Sequence, residues 1–199
     1  MKYPVVEVFT SIQGEGRYTG YPANFIRLAG CPLNCEFCDT DKEQREELST
    51  QEILERLNED VKITVLTGGE PTHQDIYDLV HVLSDCRNYE VHLETNGWNG
   101  WPQGIDWVSL SPKRIPYTPS GYDPFEHGAP DEIKWLVPLW THEEMRGYLR
   151  SFKHVLHYVQ PVNYRNRINR KNLELCKQMV RRDPRLKLSL QLHKVIHVR

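Results

Sequence analysis

The chain has 199 residues, 39% hydrophobic and 26% charged, an ordinary globular balance with enough apolar material for the core of one domain. Its mean hydropathy is −0.62, and no apolar run approaches the ~20 residues that span a bilayer, so no membrane partner is expected. The net charge of −2 argues against a nucleic-acid binder held by bulk charge. The sign is unevenly spread. Residues 150–199 carry 13 Lys/Arg against 2 Asp/Glu, a local charge of +11 that leaves the first 149 residues at −13. A solvated helix face is the plain reading of that bias, and a partner-docking surface the sharper one. The N-terminal MKYPVVEVFT lacks the basic-then-apolar order of a signal peptide, so a cytoplasmic location is expected, with residues 1–199 as a single domain.

Strands are predicted at residues 5–9 and 23–28, ahead of a cysteine-rich loop. A short charged stretch follows, and Ser49 with Glu52 makes a Ser-x-x-Glu capping box that opens the first helix. Next come a strand at 63–66, a helix at 74–85, and strands at 91–94 and 107–110. A loop rich in Pro, Gly and Tyr spans 111–130, either a lid or a plain connection. The chain continues with a strand at 133–137, a helix at 142–151, a strand at 155–159, a helix at 166–182 and a strand at 186–190. Asp183-Pro184 ends the last helix, because a residue before proline disfavours the helical region. Several strands read as continuous apolar runs, as strands buried on both faces do. The alternation predicts an α/β fold with a parallel sheet and right-handed crossovers. The strand count suggests an incomplete, TIM-like barrel of about six parallel βα units. The polar motifs Thr67-Gly68-Gly69-Glu70-Pro71, Glu94-Thr95-Asn96-Gly97, Ser111-Pro112-Lys113 and Gln160-Pro161 all fall at C-terminal strand ends, where such folds collect their chemistry.

There are five cysteines, an odd number unsuited to a disulfide framework. Cys86 and Cys176 lie in helical, apolar surroundings and read as small core residues. Cys31, Cys35 and Cys38 form C-x3-C-x2-C. Three thiolates from one loop can bind three irons of a cubane [4Fe–4S] cluster and leave the fourth iron open. Zinc is the alternative for soft thiolates, although a structural zinc asks for four ligands and His73 is far along the chain.

The triplet, with Phe37 before its last cysteine, resembles the signature of the radical S-adenosylmethionine (SAM) superfamily. Gly68-Gly69-Glu70-Pro71 resembles that superfamily's Gly-Gly-Glu motif. The ordered series SIQGEG (11–16), FIRL (25–28), CDT (38–40), ETNG (94–97), SLSPK (109–113), VQP (159–161) and LQLHK (190–194) is similar to the 7-carboxy-7-deazaguanine synthase family within it, over nearly the whole chain. The resemblance implies a carbon–nitrogen lyase of the queuosine and 7-deazapurine pathway that uses a [4Fe–4S] cluster, SAM and Mg2+. In that family the reduced cluster and SAM yield a 5′-deoxyadenosyl radical. The radical takes hydrogen from carbon 6 of 6-carboxy-5,6,7,8-tetrahydropterin, the ring contracts and ammonia leaves. It also implies a homodimer and an electron donor such as flavodoxin or ferredoxin.

Residue roles follow from the same resemblance. Cys31, Cys35 and Cys38 hold the cluster and Thr40 gives its hydroxyl to magnesium. Phe37, Gly68, Gly69, Glu70, Ser111, Lys113 and Gln160 contact SAM. Ile12, Gln13, Gly14, Glu15, Gly16, Arg27, Thr95 and His193 contact substrate, with no catalytic side chain beyond the cluster and SAM. The residue types suit these roles. Glycines let backbone approach a ligand closely, and Glu70 can accept from an ammonium. Gln13 and Glu15 can read the donor-rich edge of a pterin as such side chains read base edges, and Arg27 can grip a carboxylate with two hydrogen bonds. Plainer readings stay open: Lys113 as a surface lysine, Gln160 and His193 as structural residues, Asp39 as a loop cap, and Arg27 in an ion pair with Glu94. Residues 41–49 are short where relatives can carry a longer insert. A glycyl-radical activase and a zinc-binding interaction module are the rival functions. Arg181, Arg182 and Arg185, at the end of a predicted helix, are candidates for docking an acidic electron donor, although basic residues there also complement the helix dipole.

Overall fold

In the computed structural model, every residue is described except 88, 115, 165, 166 and 199. The strands are β1 (Lys2–Ile12), β2 (Pro22–Leu28), β3 (Glu46–Ser49), β4 (Ile63–Gly68), β5 (Glu90–Thr95), β6 (Trp107–Leu110), β7 (Glu132–Val137), β8 (Leu156–Pro161) and β9 (Leu186–Leu188). They form one sheet in the order β3-β1-β2-β4-β5-β6-β7-β8-β9. The most apolar runs occupy its middle, and all six residues of β7 are buried, as expected of a strand covered on both faces. β1 pairs antiparallel with β2 and with β3. From β2 through β9 every other neighbour is parallel, giving seven parallel strands and six crossovers. β3 and β9 end the sheet, so the barrel is open.

The helices are α1 (Thr50–Leu54), α2 (Tyr77–His81), α3 (His142–Ser151), α4 (Arg170–Arg182) and α5 (Leu192–Ile196). Ser49 and Glu52 form the expected capping box on α1, and Thr141 with Glu144 forms another on α3. Asn169 caps α4, and the expected start at residue 166 lies outside the described residues. The helix expected at 74–85 is α2 followed by a π-helical turn, Val82–Cys86. That turn carries Cys86 out to solvent, so Cys86 is exposed and not a core residue, whereas Cys176 on α4 is buried as expected.

One apolar cluster joins Ile26, Leu66 and Leu93 of the sheet to Ile53, Leu79 and Leu83 of the helices. A second joins Ile133, Trp135 and Val159 to Met145, Leu149 and Cys176. Each fully buried large side chain contributes roughly 1.5–3 kcal/mol. Phe125 ties the 111–130 loop into the second cluster by stacking on Tyr148 of α3 at 4.4 Å. That loop is therefore anchored across the sheet. Among the described residues no helix is long and apolar enough to cross a membrane.

Candidate active site

Because β1 is antiparallel, β2 is the first of the parallel strands, and the cysteine loop leaves its C-terminal end. The Gly-Gly-Glu loop leaves the adjacent end of β4. The two loops meet backbone to backbone: Gly69 N–H donates to the Leu28 carbonyl at 3.1 Å and Glu70 N–H to the Gly30 carbonyl at 2.9 Å. A Cβ on Gly69 would collide with the Gly30 carbonyl, so only glycine permits this approach. Cys31, Cys35 and Cys38 line one cleft with Phe37, Gly68 and Gly69, and Ser111, Lys113 and Gln160 line its far side. Burial pushes the Cys31 and Cys35 thiols up, so a bound cation is what would hold them as thiolates. Loss of water likewise holds the Lys113 ammonium below its usual range, while its Nζ donates to the Ser111 carbonyl and hydroxyl at 2.7 and 3.0 Å.

Glu70 is placed differently from the expectation. It is fully buried and does not line the cleft. Its carboxylate accepts from Thr72 N at 3.0 Å, Thr72 Oγ1 at 2.8 Å, Thr95 Oγ1 at 2.7 Å and Asn96 N at 2.6 Å. Glu70 thus ties the β4 and β5 loops together, and at this motif the glycines face the ligand space. Thr95 lines the cysteine cleft rather than the neighbouring one, with its hydroxyl committed to Glu70.

A second cleft adjoins the first and shares Glu15, Asp39, Thr40, Thr67, Glu94 and Gln191 with it. Its walls hold Ile12, Gln13, Gly14, Arg27 and His193. Gly16 does not reach it: its N–H donates to Ser189 Oγ at 3.1 Å and a Cβ would strike the Glu132 carboxylate. Arg27 pairs through Nε with Glu7 Oε1 at 2.9 Å, not with Glu94. His193 sits in helix α5, which folds back over the SIQGEG loop, where Leu192 N–H donates to the Gly14 carbonyl at 2.9 Å.

Lys134, unmarked in the sequence reading, organises the floor. Its Nζ lies 2.7 Å from Glu15 Oε2 and 3.4 Å from Glu94 Oε1. Burial alone would raise Glu15, but the Lys134 charge and hydrogen bond outweigh it and bring the carboxyl to about 2. The same carboxylates raise Lys134 against its own desolvation. Glu132, beneath, is raised by burial. Glu15 also accepts from Gln160 Nε2 at 3.1 Å and Gln191 Nε2 at 3.0 Å. The other end of the Gln160 amide takes Ser189 Oγ at 2.8 Å, so both ends of that side chain have structural partners. Asp39 pairs with the buried ammonium of Lys194 on α5. A lysine inside the apolar run EIKWLV was the available signal for Lys134. The acceptors it needs lie 40 and 119 residues away in sequence.

The basic C-terminal segment divides between the two ends of the fold. α4 starts near the cysteine rim and runs back for 13 residues, roughly 20 Å, to the opposite end of the sheet. Arg181, Arg182 and Arg185 therefore stand at the end remote from the cysteines, and Arg185 is paired with Asp183 at 2.6 Å. This corrects the docking expectation for those three residues.

A profile of the radical SAM superfamily matches residues 25–116. The 7-carboxy-7-deazaguanine synthase of Bacteroides thetaiotaomicron is 36% identical over 204 residues, covering 100% of both chains. That of Haemophilus influenzae is 31% identical, over 98% of this chain and 94% of its own. The crystal structure of QueE from Escherichia coli superposes with a TM-score of 0.75 at 26% identity, covering 97% of this chain and 95% of that one. Fold, cysteine loop and matches together define a radical SAM protein. Its full-length similarity places it further: the chain belongs to the 7-carboxy-7-deazaguanine synthase family.

The superfamily uses a [4Fe–4S] cluster and SAM, and the residues present fit both. Among the described residues three thiols open on one cleft with no fourth cysteine lining it, a donor set that leaves one iron for a ligand. Among the described residues no three His, Cys, Asp or Glu side chains converge on a single ion, whereas a cubane cluster takes its thiolates on separate irons. Among the described residues the buried Asn96 Oδ1 has no hydrogen-bond partner, on a side chain that lines the same cleft.

Proposed function

We propose that this chain, acting as one domain, converts 6-carboxy-5,6,7,8-tetrahydropterin to 7-carboxy-7-deazaguanine and ammonia. The observation that carries the proposal is the pair of adjoining clefts, one bordered by three thiols and two glycines, the other by Arg27, Gln13 and Glu15. Bound in the first cleft, the cluster and SAM supply the carbon-centred radical that takes hydrogen from substrate carbon 6. The protein's own groups bind and orient. Arg27 holds the substrate carboxylate, since a guanidinium matches it with two parallel hydrogen bonds. Lys134 keeps Glu15 ionised so that it accepts from the amino-pyrimidine edge, and Gln13 lies beside it. His193 and α5 close the far wall and limit water. Thr40, on the border of both clefts, offers its hydroxyl to Mg2+, which needs few protein ligands when substrate oxygens supply the rest.

The family's acidic one-electron donor, a flavodoxin or ferredoxin, belongs to this reading. Its docking side is the cysteine rim, where Arg170 and Lys171 open α4. A homodimer also belongs to it, supported by the exposed Leu188 on edge strand β9 and by Val195 and Ile196 on α5.

The test is metal content and SAM cleavage in cysteine variants. Alanine at Cys31, Cys35 or Cys38 is expected to abolish both, and alanine at Cys86 or Cys176 to leave iron unchanged. Full iron and turnover in Cys35→Ala would end the proposal.

A further inference from the structure

Asn96 follows β5 and is 6% exposed. Both of its backbone polar groups are held by side chains from other loops. Its N–H donates to Glu70 Oε2 at 2.6 Å, and its carbonyl accepts from the Tyr122 hydroxyl. The next residue, Gly97, has φ +84, a turn that a side chain would strain. Three separate segments, the Gly-Gly-Glu loop, the ETNG turn and the 111–130 loop, thus converge on the placement of one amide. That amide meets the cysteine loop. Nδ2 lies 3.9 Å from Cys31 Sγ, within hydrogen-bonding range of sulfur, and Oδ1 is buried without a partner.

We propose that Asn96 sets the reduction potential of the cluster by donating its Nδ2–H to the Cys31 sulfur. The inference rests on the cluster reading above. An iron-bound cysteine sulfur is a thiolate and offers no proton, so the amide must present NH2 to it and keep Oδ1 away. Reduction adds negative charge to the cluster, and some of that charge spreads onto the cysteine sulfurs. A hydrogen-bond donor on sulfur therefore stabilises the reduced form more than the oxidised form and raises the potential. Burial strengthens the effect, because the surrounding dielectric is low. The anchoring of the Asn96 backbone keeps the donor in place without a reorganisation cost at each electron transfer. Asn96 is a positioning residue here, acting on the cluster through Cys31.

The test is a redox titration of the reconstituted holoenzyme, followed by electron paramagnetic resonance of the reduced cluster and without substrate. In Asn96→Leu, of similar size and without the donor, the ratio of reduced to oxidised cluster at a fixed solution potential is expected to fall about tenfold, equivalent to about 59 mV for one electron. Asn96→Asp removes the donor and adds a carboxylate, and is expected to fall further. Midpoints equal to wild type in both variants, at wild-type iron content, overturn the inference. Should Asn96→Leu bind less iron, Asn96→Ser, too short to reach the sulfur, replaces it, and a wild-type midpoint there overturns the inference equally. An iron-free wild-type protein would instead overturn the cluster reading, and this inference with it.

Discussion

Replacing Lys134 by Met keeps the side chain's length and removes the ammonium that balances Glu15 and Glu94. Its ammonium, 5% exposed, lies 2.7 Å from Glu15 and 3.4 Å from Glu94. Lys134 holds the Glu15 carboxyl well below its ordinary 4.5 in the folded protein, so the pair contributes stability at neutral pH. Breaking a buried pair by removing one partner costs ~3–5 kcal/mol. Because the folded value is the lower one, this stability is fully present above 4.5 and is lost as pH falls toward 2. In the variant, burial without the compensating lysine raises Glu15 instead, and acid then relieves it. Urea unfolding should therefore show Lys134→Met weaker by about 3 kcal/mol near pH 7 and by clearly less near pH 4. Adding Glu15→Gln should restore much of the loss, since it removes the stranded carboxylate. A deficit under about 1 kcal/mol near neutrality, the range of a surface pair, or a deficit that does not narrow in acid, would refute the reasoning.

Three further outcomes are expected. Arg27→Lys should weaken binding of the carboxypterin by about 1.5–3 kcal/mol, the range for hydrogen bonds to charged groups, with SAM binding unchanged in the same calorimetry. Thr40→Ala should lower turnover and blunt its response to magnesium while iron content holds, and Thr40→Ser should be milder. In Gly69→Ala the new Cβ meets the Gly30 carbonyl and Cys31 Cβ, so thermal unfolding should show a loss of ~1–3 kcal/mol from overpacking, accompanied by weaker iron binding.

The central strands were legible because burial on both faces leaves continuous apolar runs, and β4, β6 and β7 fall where those runs lie. β3 was missed. Its sequence, EELS, has one buried apolar residue, Leu48, and it becomes a strand only because the edge of β1 offers it a partner. The strand expected at 186–190 stops at Leu188, and helix α5 begins at Leu192, whose N–H docks on the Gly14 carbonyl far away in sequence. Cys86 was misjudged because one inserted residue in a π turn rotates everything after it. The cysteine, glycine and SIQGEG motifs declared themselves through local spacing. Lys134, Gln191 and Asn96 did not, since each works through partners distant in sequence that the sheet order alone brings together. The buried role of Glu70 was hidden in part for the same reason: two of its four donors, Thr95 Oγ1 and Asn96 N, lie 25 and 26 residues away, while the other two are on the nearby Thr72.

Anaerobic turnover tests the central claim most directly. The protein, reconstituted with iron and sulfide, is incubated with 6-carboxy-5,6,7,8-tetrahydropterin, SAM, magnesium and dithionite, and the products are read by mass spectrometry. The account predicts 7-carboxy-7-deazaguanine and ammonia in equal amounts, SAM recovered intact, and no product from the Cys35→Ala protein. SAM cleaved to 5′-deoxyadenosine with the carboxypterin left unchanged would contradict it.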